Sequence, residues 1–95
     1  MEIEIKLPRW FSDGDEDYFF AWLKSVDQVK HYAGGPRGLV VTLAEPVDDP
    51  NLRELIGLMR RYDLDMKWLR QLRTKENEKW FASETKDWHQ SVFKD

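Results

Sequence analysis

The chain has 95 residues, room for one small domain. Hydrophobic residues make up 41%, and five Trp, five Phe and three Tyr supply enough apolar area to exclude a disordered chain. There is no cysteine, which excludes disulfides, thiol nucleophiles, iron–sulfur ligation and cysteine-based zinc sites, and a net charge of −3 does not suggest a whole-domain polyanion binder.

Charge is uneven along the chain. Residues 1–52 carry five basic and ten acidic groups, whereas residues 53–95 carry ten basic and eight acidic. The opening Met-Glu-Ile-Glu-Ile-Lys has neither a basic leader nor an apolar core, so no signal peptide is expected. The longest apolar run, Tyr18 to Leu23, is too short to span a membrane, and a cytoplasmic location is expected.

Glu2 to Leu7 alternates, with Ile3, Ile5 and Leu7 on one face, and reads as a half-buried strand ended by Pro8. Ser12 or Asp13 caps a helix from about 15 to 26, with Asp15, Glu16 and Asp17 at its positive end. Phe19, Trp22, Leu23 and Val26 form its apolar stripe. Val29 to Ala33 and Leu39 to Ala44 read as two strands joined at Gly34-Gly35-Pro36-Arg37-Gly38, with Leu39, Val41 and Leu43 sharing a face with Val29 and His31. Asp49 is the expected N-cap of a second helix, with Pro50 in its first position and Leu52, Leu55, Ile56 and Met59 along its buried face.

From Leu64 to Leu72 two periods compete. Alternation places Leu64, Met66, Trp68 and Leu72 on one strand face. A helical period sets Trp68, Leu69 and Leu72 opposite Lys67, Arg70 and Arg73. The absence of β-branched residues favours helix, capped by Asp65. Thr74 and Ser83 are expected to cap two further short helices. The fold expected is a single α+β domain over residues 1–95: a small antiparallel sheet in βαββα order, split-βαβ-like, with a mainly helical C-terminal segment. The alternative is ferredoxin-like, with 64–72 as a fourth strand.

Motifs that would carry chemistry are scarce. Counted as a calcium loop from Asp13, the acidic cluster puts Tyr18 where glycine is needed and Lys24 where a carboxylate is needed. His31 and His89 are far apart, with no metal-ligand spacing. The glycines at 34–38 lack the Lys-Ser/Thr of a phosphate loop, and no Gly-x-Ser-x-Gly surrounds any serine. No catalytic set, cofactor or metal is expected. An enzyme reading would need His31 or His89 to share a pocket with a carboxylate.

Two binding readings follow. The first is a partner protein with a basic surface, contacted by Asp15, Glu16, Asp17, Trp68 and Trp88, with Asp13, Asp48 and Asp49 steering its approach. The second is weak nucleic-acid binding through the phosphate contacts of Arg60, Arg61, Lys67, Arg70 and Arg73. The strand–helix order is similar to that of RNA-recognition sheets, which display aromatic residues on their open face. Here that face is expected to show Glu2, Glu4 and Lys6, with Tyr32 as the one platform. Trp10, Phe11, Trp68, Trp80, Phe81, Trp88 and Phe93 are read first as core, with an exposed apolar patch formed by some of them as the alternative.

The runs Phe19 to Leu23, Leu52 to Met66 and Trp80-Phe81 through Trp88-His89 to Phe93 resemble a group of small bacterial hypothetical proteins. The resemblance covers most of the chain and implies a bacterial cytosolic origin. Its motifs are core-type residues, which speak for fold rather than chemistry.

Overall fold

Ile3 and Ile5 are buried and Glu2 and Glu4 exposed, as period-two alternation requires of a strand covered on one face. In the computed structural model, which describes residues 1–95, this strand is β1 (Glu2–Ile5). It is followed by α1 (Asp13–Ser25), β2 (Val29–Gly34), β3 (Leu39–Leu43) and α2 (Asp49–Arg61). A 3₁₀ segment (Lys67–Leu72) and the short helices α3 (Glu78–Phe81) and α4 (His89–Phe93) complete the chain. The sheet is antiparallel in the order β1-β3-β2. β3 therefore separates β1 from β2, which run the same way, and this is the split-βαβ arrangement. No helix is long and apolar enough to cross a membrane.

One face of the sheet is covered. Ile3 and Ile5 pair with Val41 and Leu39, and all four are buried with Leu43. Phe19, Leu23 and Val26 of the first helical unit and Leu52, Leu55, Ile56, Leu58 and Met59 of α2 join them in one core. Leu69, Leu72, Phe81 and Val92 extend that core into the C-terminal segment. The opposite face carries Glu2, Glu4, Val40 and Thr42.

Several expectations shift. Ser12 is the N-cap of α1, accepting from the Asp15 N–H, and α1 begins at Asp13. Asp48, not Asp49, caps α2, accepting from the Asn51 N–H at 3.0 Å, so Pro50 falls one position deeper in the first turn. Residues 67–72 form neither a fourth strand nor an α-helix. Met66, Leu69 and Leu72 are buried at intervals of three, the period at which 3₁₀ side chains eclipse. Asp65 accepts from the Lys67 N–H at 3.0 Å. A bulge lies between Val29 and His31. It turns His31 to the open face opposite Thr42 and sends Tyr32 to the covered face opposite Val41, where it stacks on Phe20 at 5.5 Å. Tyr32 is therefore no platform on the open face. Ser83 accepts from Thr85, and the last helix starts later, at His89.

Candidate interaction surface at the start of α1

Phe11 precedes the N-cap of α1. A hydrophobic residue there normally packs on the fourth helical position, which in this chain is Glu16. With no apolar partner to cover it, Phe11 is 95% exposed. Its backbone is nonetheless held in place. The Phe11 N–H donates to Asp15 Oδ2 at 3.2 Å, while the Asp15 N–H donates to Ser12 Oγ at 3.2 Å. The Tyr62 hydroxyl donates to the Asp15 carbonyl at 3.5 Å. Asp15 is thus half-buried and acts as a pin between the loop and the helix. Behind it, Trp10 packs against Phe19, Phe20 and Tyr62 with ring centroids at 5.2, 6.1 and 6.2 Å, anchoring the loop that carries Phe11.

Tyr18 lies off the Phe19–Trp22–Leu23–Val26 stripe and is 75% exposed. Asp13, Glu16 and Asp17 are exposed too, and no cation lies within ion-pairing distance of them or of Asp15. The shoulder of α1 thus combines two solvent-facing aromatic rings with unneutralised carboxylates. For Phe11 the structure sides with the exposed-patch alternative over the core, and Tyr18 is an exposed ring not singled out from the sequence. The signals were the charged residue at position 16 and the helical angle of residue 18.

The two tryptophans expected at an interface lie elsewhere. Trp68 and Trp88 are half-buried and packed against the core. Trp88 Nε1 donates to the Phe81 carbonyl at 2.8 Å, whereas Trp68 Nε1 is buried without a partner. No hydrogen bond or ring contact joins either indole to the α1 carboxylates. Asp48 spends its carboxylate on Asn51. Hydrogen bonds from the Asn51 side chain and then from its backbone hold this carboxyl below its ordinary range.

The basic strip is internally engaged. Arg60 pairs with Asp87 at 3.1 Å. Arg61 lies over the Tyr62 ring. Lys67 Nζ donates to the Gln90 and Lys94 carbonyls. Arg70 donates from Nε to the Val92 carbonyl and pairs with Asp95 at 2.8 Å. Arg73 pairs with Glu78 at 3.3 Å. The period of three that buries Met66, Leu69 and Leu72 aligns Lys67, Arg70 and Arg73 in one row, and the first two neutralise the carbonyl end of α4. The hydrogen bond and charge of Arg70, with the charge of Lys67, hold the Asp95 carboxyl below its ordinary range.

His31 is exposed on the open face of the sheet, while His89 is half-buried against Phe93 with ring centroids at 5.3 Å. Neither pairs with a carboxylate, and no three His, Asp or Glu side chains gather as a metal-holding group. No family model, curated protein or solved structure matches this chain.

Proposed function

We propose that this chain is a non-enzymatic protein-binding module, a small regulator or immunity-like protein of a bacterial cytosol. Its contact surface is the shoulder of α1, and its partner presents a basic surface with an apolar recess. The observation that carries this reading is the near-complete exposure of Phe11 on a loop held rigid by Asp15. Holding the backbone of the loop that carries Phe11 removes that part of the ordering cost before binding, leaving only the ring's rotamer to be fixed by a partner. Interface hot spots are enriched in such anchors. Asp13, Glu16 and Asp17 on α1 have no ion-pair partner and favour a cationic partner, whereas Arg9 and Arg61 line the hollow beside Phe11 together with Asp15 and Asp63.

The test is capture from a bacterial lysate at low salt on three baits: the native chain, Phe11→Ser, and Glu16→Lys with Asp17→Lys. These side chains are exposed, so circular dichroism of the three baits is expected to coincide. A protein retained by the native chain and lost from both variants supports the proposal. Capture indifferent to both changes, or none above background, overturns it.

A further inference from the structure

The outer edge of β2 is a second surface with a different chemistry. β2 pairs with β3 on one side only. The hairpin closes where the Gly35 N–H donates to the Gly38 carbonyl at 2.7 Å. Bonded and non-bonded pairs alternate along an antiparallel ladder. Counting from that closing pair, Ala33–Val40 and His31–Thr42 exchange bonds with β3, while Tyr32 and Gly34 turn their N–H and C=O groups outward. The other side of β3 gives the same phase. The Leu43 N–H bonds to the Met1 carbonyl, so Val41 and Leu39 serve β1 and leave Val40 and Thr42 for β2.

A hollow of about 400 Å³ lies at the start of this edge and reaches Tyr32, lined by Lys24, Val29, Lys30, His31 and Tyr32. Tyr32 belongs to the covered face of the sheet and His31 to the open one. One hollow touches both only where it follows the edge of the strand. No carboxylate pairs with Lys24, Lys30 or His31, and Lys30 Nζ donates only to the Asp27 backbone carbonyl. The edge thus offers unpaired main-chain donors and acceptors, two half-buried apolar side chains and unneutralised positive charge.

We infer that the β2 edge accepts an extended acidic segment of a partner protein as a fourth strand. This is strand addition, in which main-chain bonds give affinity and flanking side chains select. Charge decides the occupant. Two copies joined through β2 would bring together two edges that each carry Lys24 and Lys30 with no carboxylate, and two joined through β1 would set Glu2 and Glu4 against each other across the ladder, both unfavourable. Pairing β1 of one copy with β2 of the next is heterologous, giving a ring or an open filament, and it would show as self-assembly in the test below. An acidic strand suits β2 and is repelled at β1. The bulge at Lys30 disrupts pairing at the start of β2 and leaves His31 to Gly34 regular. This site is independent of the α1 shoulder, and the variants that test it are different.

The experiment is amide hydrogen exchange on the full chain with a blocked heptapeptide alternating glutamate with valine, and with its lysine counterpart. The glutamate peptide is expected to slow exchange at Tyr32 and Gly34 by about tenfold or more, and the lysine peptide to leave both unchanged. Gly34→Pro removes an outward N–H without touching a ladder bond, and an added Cβ there meets nothing within 4 Å. It is expected to weaken the glutamate peptide about tenfold at an unchanged melting temperature. Lys24→Glu with Lys30→Glu is expected to reverse the preference between peptides. Equal protection by both peptides, protection outside β2, no protection at millimolar peptide, or self-assembly through β2 overturns the inference.

Discussion

Asp63 has φ 53°, a left-handed conformation that disfavours any side chain bearing a Cβ. It closes α2 in a Schellman turn: the Leu64 N–H donates to the Met59 carbonyl at 2.9 Å and the Asp63 N–H to the Arg60 carbonyl at 3.2 Å. Its negative charge also faces the carbonyl end of the helix, the wrong sign for the dipole. Asp63→Gly removes both penalties and is expected to stabilise the fold by about 0.5–1 kcal/mol, read as a shift in denaturant midpoint at unchanged slope. Asn77 is the opposite case. It is 1% exposed, and its side chain accepts from the Thr74 N–H and donates to the Leu72 carbonyl, both at 2.8 Å. Asn77→Ala leaves the buried Leu72 carbonyl and the half-buried Thr74 N–H unpaired and is expected to cost about 1–3 kcal/mol in the same measurement.

The β2–β3 hairpin depends on Gly38. A Cβ there would overlap the Ile5 carbonyl and come within 3.1 Å of Lys6 Cα, backbone that cannot swing aside. Gly38→Ala is expected to cost about 1–3 kcal/mol and to speed amide exchange in β1 as well as in the hairpin. The docking of α4 depends on Arg70, which joins the 3₁₀ segment to the Val92 carbonyl and to Asp95. Arg70→Met keeps the stem and removes the fork, with an expected loss of about 1–2 kcal/mol. Elements fixed by local chemistry were legible in the sequence: the alternation at Ile3 and Ile5, the Asp-Asp-Pro start of α2, the glycine-rich turn. Elements fixed by tertiary contacts were not. Nothing near Lys30 announces a bulge, so the facing of His31 and Tyr32 was read in the wrong register. The row Lys67, Arg70, Arg73 was visible, but that the chain's own tail would occupy two of its members depends on α4 folding back. The exposure of Phe11 is not legible in composition, which records how much aromatic area exists, not which ring finds a neighbour.

Across the whole molecule, two carboxyls sit below their ordinary range: Asp48, through hydrogen bonds from Asn51, and Asp95, through its bond to Arg70. Folding favours their ionised forms. The stability they add is complete above the unfolded aspartate pKa and is lost as pH falls through the lower folded value. Asp48→Asn keeps a competent cap without a titrating group. Its stability is expected to change less than that of the native chain as pH drops below about 4, in a series of denaturant titrations. Residues from β1 to Val92 share one core, so the sheet and the C-terminal segment are expected to melt together. The Trp80 and Trp88 rings, edge to face at 6.1 Å, give that expectation its own optical signal. Indole transitions at this separation couple as excitons and split into a circular-dichroism couplet of opposite-signed bands. That couplet reports on the C-terminal segment alone, while the backbone bands report on every helix and strand. Heating is expected to erase both at a single temperature.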